Sequence, residues 1–119
     1  MIVALSVTGN EAPASLDSRF GRAPWFLLHD TETGAERFIP NPSSESGTGA
    51  GTGAVQTLAD ADVDCVIGAE PGPKADDALK ALGIDAFNPG TISDASEAIA
   101  AWRDGKLERF NKPAGLYRA

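Results

Sequence analysis

Ile2-Val3-Ala4-Leu5-Ser6-Val7 is an almost unbroken apolar run of strand length, the pattern of a strand covered on both faces. It is expected at the centre of a sheet. Val63-Asp64-Cys65-Val66-Ile67-Gly68 repeats the pattern in shorter form, and ahead of it Val55, Leu58 and Ala59 share one face of a helix beginning near Ala54. Strand–helix–strand crossovers make parallel neighbours, and both runs are expected as inner strands. Pro24-Trp25-Phe26-Leu27-Leu28-His29 and Ala35-Glu36-Arg37-Phe38-Ile39 flank a short loop with Gly34, and read as an antiparallel hairpin. The charged, mixed pattern of the second of these suits an edge strand ended by Pro40 and Pro42.

Further along, Gly72-Pro73 marks a helix start, and Ala75, Ala78, Leu79 and Leu82 follow at helical spacing. Gly83 is placed as a left-handed C-terminal cap, and Ile84-Asp85-Ala86-Phe87 is the last expected strand. Asp94 caps a final helix with Ala95, Ala98, Ile99 and Trp102 as its buried stripe, and Gly105 stops it. The fold class is therefore α/β, with a mixed sheet of about five strands and helices on both faces. Residues 1–107 are expected to form one domain and residues 108–119 a C-terminal tail.

The chain has 119 residues and a formal net charge of −7, which argues against nucleic acid as a partner, because phosphate contacts need a basic face. No stretch approaches the roughly 18 consecutive apolar residues of a membrane span. The short apolar start lacks a basic n-region, so a cytoplasmic protein with no membrane partner is expected. A lone cysteine, Cys65, excludes an internal disulfide and any metal site built from the thiolates of one chain. Cys65 and the single histidine, His29, read as structural residues, and no nucleophile motif supports hydrolysis.

Two stretches carry chemistry. Ser46-Gly47-Thr48-Gly49-Ala50-Gly51-Thr52-Gly53 is a run of small residues ahead of a helix, where free N–H groups and the helix dipole favour an anion. Ser18-Arg19-Phe20-Gly21-Arg22 offers two guanidinium groups around a Phe-Gly turn. Together they suggest a cradle for a compact anion. The residues alone leave alternatives open: the glycine run as a flexible linker, and the arginines as solvated charges or partners of Asp17. No Lys-Ser or Lys-Thr closes the run, so it is not a Walker loop.

The order of these segments resembles the dinitrogenase iron-molybdenum cofactor biosynthesis family, the nitrogenase accessory factors and their stand-alone relatives. The resemblance covers about residues 1–107. It is carried by the first strand, Leu16-Asp17-Ser18-Arg19-Phe20-Gly21-Arg22-Ala23-Pro24, Asn41-Pro42, Gly49-Ala50-Gly51, Gly72-Pro73-Lys74-Ala75, Gly83-Ile84 and Gly105-Lys106-Leu107. It implies a ribonuclease-H-like three-layer α/β/α fold without nuclease chemistry. The implied role is that of a non-enzymatic carrier of a molybdenum- or iron-containing sulfide cluster, with a protein that donates or receives the cluster as a further partner. Arg19 stands where several members have histidine, which is closest in style to the orange-protein branch. A cluster of Mo–Cu–S or Fe–Mo–S type would then be bound non-covalently by backbone N–H groups and arginines. The expected cofactor-binding residues are Arg19, Phe20, Gly21, Arg22, Thr48, Gly49, Ala50, Gly51, Thr52, Gly53 and Gly72, with no catalytic residue and no side-chain metal ligand. The alternative is an oxyanion-sensing or protein-interaction module without a metal cluster.

Overall fold

The computed structural model describes residues 1–47 and 49–110. Its strands are β1 (Ile2–Val7), β2 (Trp25–Asp30), β3 (Glu36–Pro40), β4 (Cys65–Ile67), β5 (Asp85–Asn88) and β6 (Glu108–Arg109), and its helices are α1 (Ala50–Asp60), α2 (Pro73–Leu82) and α3 (Ala95–Arg103). The strands form one sheet in the order β3-β2-β1-β4-β5-β6. β1 pairs antiparallel with β2 and parallel with β4, and β4 pairs parallel with β5. The sheet is mixed, with β1 and β4 inside and β3 at an edge, as the contrast between continuous and mixed apolar runs requires.

Alternation along β1 explains why its run is unbroken. Ala4 enters a cluster with Ala54, Val55 and Leu58 of α1 and Ala75 and Leu79 of α2. Val3, Leu5 and Val7 point the other way, into a cluster with Ala95, Ala98 and Ile99 of α3. Helices thus cover both faces, giving the three layers of the ribonuclease-H-like arrangement. β3 carries exposed Glu36 and Arg37, which keeps that edge polar.

Helix ends follow local chemistry. Gly83 takes a left-handed conformation (φ 71°), and the Ile84 and Gly83 N–H groups donate to Leu79 O (2.9 Å) and Lys80 O (3.2 Å), closing α2. Asp94 accepts from the Glu97 N–H at 3.0 Å to open α3. The Leu16 N–H to Ser93 O bond (2.8 Å) and the Ala95 N–H to Ala14 O bond (2.9 Å) tie the long loop after β1 to that helix start.

Two expectations are corrected. The sheet has six strands rather than five, because Glu108–Arg109 lies along β5 where a tail was expected. The Phe110 N–H donates to Ala86 O at 2.8 Å, and the Phe110 ring packs against the α1/α2 cluster. An Arg109–Asp85 ion pair at 3.1 Å holds the same edge. The rest of the expected tail, residues 111–119, lies outside the described residues. The second correction is that α1 starts at Ala50, four residues before the expected Ala54, so half of the glycine run is helix.

Leu79 is fully buried where α2 meets the sheet. Leu79→Ala is expected to lower unfolding stability by about 2–5 kcal/mol through lost transfer energy and an unfilled cavity. Urea titration measures it, and a loss below about 1 kcal/mol would place Leu79 outside a well-packed core.

Candidate functional site

The chain leaves β1 at Val7, loops out, and returns at Leu16-Asp17, where the Asp17 N–H donates to Ser6 O at 2.9 Å. Asp17 then organises the turn that follows. Its buried carboxylate accepts from the Arg19 N–H (2.8 Å), from Arg19 Nε (3.1 Å) and from Arg19 Nη2 (3.1 Å). The Arg19 side chain is 61% exposed and the Asp17 side chain 4%, so the guanidinium closes a polar lid over an otherwise isolated acid. Hydrogen bonding to Asp17, and then the charge of Asp17, raise the Arg19 pKa above its ordinary value. Of the alternatives open in the sequence, pairing with Asp17 is the one Arg19 adopts.

Phe20 anchors the turn by burying its ring in the α1/α2 cluster. Gly21 lies directly on the first turn of α1: a methyl group there would stand 2.6 Å from Gly51 N and 2.7 Å from the Ala50 carbonyl carbon. No side chain fits between them. The Arg22 guanidinium donates to Ser46 O and to Ser44 O (3.4 Å), bracing the segment that leads into α1. Asn41, buried just past β3, clamps the same turn by donating from Nδ2 to Gly21 O (3.1 Å) and Ala23 O (2.8 Å). The Asn41 side-chain carbonyl accepts from the Ser43 N–H at 3.2 Å.

The expected arginine turn and glycine run are thus brought together. Gly49 is the N-cap of α1, in a left-handed conformation with φ 74°. Ala50, Gly51, Thr52 and Gly53 form the first turn of the helix rather than an open loop. Close approach explains the glycines: a methyl group at Gly51 would meet Ala75 Cβ at 3.2 Å, and one at Gly53 would meet Ser43 Cβ at 2.7 Å. The contact between Gly51 and Ala75 sets the starts of α1 and α2 side by side, with Gly72 as the N-cap of α2. Thr48 lies outside the described residues.

The two adjacent helix starts share an electrostatic character. The Gly53 N–H is the first in α1 to reach a carbonyl four residues back, Gly49 O at 2.9 Å, so Ala50, Gly51 and Thr52 precede the intrahelical ladder. Neither α1 nor α2 has a side-chain cap among the described residues, and α1 has no acidic residue in its first turn. α3, by contrast, is capped by Asp94. Two partial positive ends therefore converge without a side-chain cap; α2 carries one carboxylate in its first turn, Asp76, which pairs with Lys80 at 3.4 Å.

A crevice of about 410 Å³ opens beyond the carboxyl ends of β4 and β5, with Asp17, Ser18, Gly68, Glu70 and Asn88 among its lining residues; it borders the turn at Ser18, and none of the residues from Arg19 to Arg22, from Gly49 to Gly53, or Gly72 lines it. Ligand crevices of open α/β sheets lie at such strand ends. His29 is remote from it, since it pairs with Val3 near the other end of β1, and its Nδ1 contacts Glu36 Oε2 at 2.8 Å. Cys65 is buried among the α3-side residues. Burial, and after it the charges of Asp85 and Asp64, push its thiol up to about 12. Among the described residues no three His, Cys, Asp or Glu side chains are grouped to hold a metal ion. Asp17, Asn41, Ser6 and Gly68 are not among the expected site residues, although Asp17 stands out in the sequence as a partner for the arginines and Asn41 in its Asn-Pro pair.

Gly21→Ala is expected to cost about 1–3 kcal/mol, because the new methyl meets backbone rather than a movable side chain. Thermal melts check it, and an unchanged Tm would refute the contact. Cys65 gives a second expectation. At pH 8 its alkylation by iodoacetamide should be much slower folded than unfolded, because burial both holds the proton on the thiol and shuts out the reagent. The associated stability is fully present below the unfolded value of 9.0 and is lost as pH rises towards about 12. Cys65→Ala should flatten that alkaline loss.

Residues 1–105 match the family described as dinitrogenase iron-molybdenum cofactor. An uncharacterised protein of Methanocaldococcus jannaschii is 33% identical over 113 residues, covering 92% of each chain. The apo form of the orange protein from Desulfovibrio gigas superposes with a TM-score of 0.85 at 30% identity, covering 91% of each chain. A putative NifB protein from Thermotoga, placed in the DUF35 family, gives a TM-score of 0.79 at 29% identity over 97% of each chain. With the family match spanning almost all of the described residues, and the same fold in these relatives, the chain belongs to the dinitrogenase iron-molybdenum cofactor family.

Proposed function

We propose that the protein is a non-enzymatic carrier that binds a molybdenum- or iron-containing sulfide cluster without covalent attachment, where the starts of α1 and α2 meet the turn from Arg19 to Arg22. The observation that carries this reading is the pair of adjacent helix starts with glycine N-caps and no side-chain cap among the described residues, set against the Asp94 cap of α3. A sulfide cluster is a compact polyanion with many acceptor atoms and no need of a protein thiolate. Oriented N–H groups and nearby cations are the donor set that suits it.

The chain's own residues divide that work. Gly51 lets the two helix starts close on one another, and Gly21 and Phe20 hold the turn against them. Arg22 fixes the entry to α1 through two carbonyls and places positive charge at the rim. Arg19 neutralises Asp17, which otherwise sets a buried negative charge beside the anion. The family match and the likeness to the apo orange protein support a cluster as cargo. The same donors suit a small oxyanion, which is the competing reading and is separated by the same experiment.

The test is titration of the apo protein with a preformed molybdenum–copper sulfide cluster, made from tetrathiomolybdate and copper(I), followed by its visible band after gel filtration. Wild-type protein should retain the band in competition with sulfate. Arg22→Glu should weaken retention at least tenfold, since losing one charge-assisted hydrogen bond is worth about 1.5–3 kcal/mol and reversal adds repulsion. Cys65→Ser should leave retention unchanged. Wild-type protein that emerges colourless refutes the carrier reading, and a band lost in Cys65→Ser but kept in Arg22→Glu makes the cysteine the ligand.

A further inference from the structure

Ser6 is the one polar residue inside β1, and its hydroxyl is fully buried with no hydrogen-bond partner among the described residues. Alternation puts it on the same side of the sheet as Ala4, the side covered by α1 and α2. It sits one residue before the carboxyl end of β1, the level at which both helices begin in right-handed crossovers. What faces it is Gly68: a methyl group there would stand 2.9 Å from Ser6 Oγ and 3.1 Å from Ser6 Cβ. Gly68 in turn lines the crevice beyond β4 and β5. Only a residue without a side chain therefore stands between an unsatisfied donor and that crevice. A buried hydroxyl with nothing to bond destabilises the fold, and alanine in its place would not.

We propose that Ser6 is a ligand-binding residue whose hydroxyl donates to a sulfide or oxo atom of the bound anion. This seats the anion deep, over Gly68 at the end of β1, with the Arg19–Arg22 turn on its outer side. The inference rests on the carrier reading and specifies its seat. A χ1 rotation between staggered positions redirects Oγ without moving the strand, and glycine at 68 leaves the room. The serine hydroxyl adds a neutral donor to the backbone amides and guanidinium groups of the proposed site. It favours an acceptor-rich anion while adding no charge that would hold the cargo too tightly for release.

The seat predicts opposite signs for two measurements on one variant. Ser6→Ala removes an unsatisfied buried hydroxyl, so the apo protein should melt at the same temperature or higher. The same change should weaken retention of the preformed molybdenum–copper sulfide cluster by about ten- to hundredfold, the worth of one hydrogen bond to a charged acceptor. Gly68→Ala, which places a methyl group over the hydroxyl, should weaken retention in the same direction. Ser6→Ala that binds the cluster as wild type does overturns the seat and leaves the carrier reading standing. A Ser6→Ala protein that melts lower and binds less makes the residue structural and also overturns it. Wild-type protein that retains no cluster overturns the carrier reading and the seat together.

Discussion

The contact on which the site depends is backbone against backbone: Gly21 resting on the Ala50–Gly51 peptide of α1. Everything around it serves that approach. Asn41 holds the Gly21 and Ala23 carbonyls, Phe20 fills the core beneath, and Arg22 pulls the segment ahead of α1 inward by its carbonyls. Gly51 repeats the device on its other side, where Ala75 of α2 comes within the space of a side chain. A helix start is ordinarily finished by a serine, threonine, asparagine or aspartate that accepts from its first amides. In α1 and α2 glycine stands in that position, and packing holds the ends together instead.

Much of the fold was legible because its signals are periodic. The runs of β1 and β4 mark buried strands, and Gly83 and Asp94 mark helix ends whose hydrogen bonds are of the expected kind. β6 was not legible, since Glu108 and Arg109 are both exposed and a two-residue pairing has no period; Phe110 and the Arg109–Asp85 ion pair dock it. The early start of α1 was missed for a different reason. Glycine carries a helix propensity roughly 1 kcal/mol worse than alanine, so Gly51 and Gly53 read as loop, and only the crowding by Gly21, Ala75 and Ser43 explains why small residues belong there.

The site was half legible. The arginine turn and the glycine run were singled out by residue type and expected to form one cradle, but the backbone contact of Gly21 with Ala50 and Gly51 has no signature in the spacing. The guanidinium groups illustrate the limit of composition. Arg19 and Arg22 read alike in sequence, yet one answers a buried acid and the other two carbonyls, a division that depends on where Asp17 and Ser46 fall in three dimensions. Ser6 was absorbed into an apolar strand because one small polar residue does not break a hydrophobic run. Its meaning lies in what is missing opposite it, at Gly68.

Cys65 has a consequence for chemical compatibility. Copper(I) and soft metal sulfides seek thiolates, and thiol exchange needs the deprotonated sulfur at an accessible surface. The one cysteine of this chain is sealed on the α3 side of the sheet, and its proton is held until strongly alkaline pH. The proposed sulfide-rich cargo, if seated at the helix starts, would meet no nucleophilic sulfur of this chain and would leave without breaking a sulfur–metal bond to it.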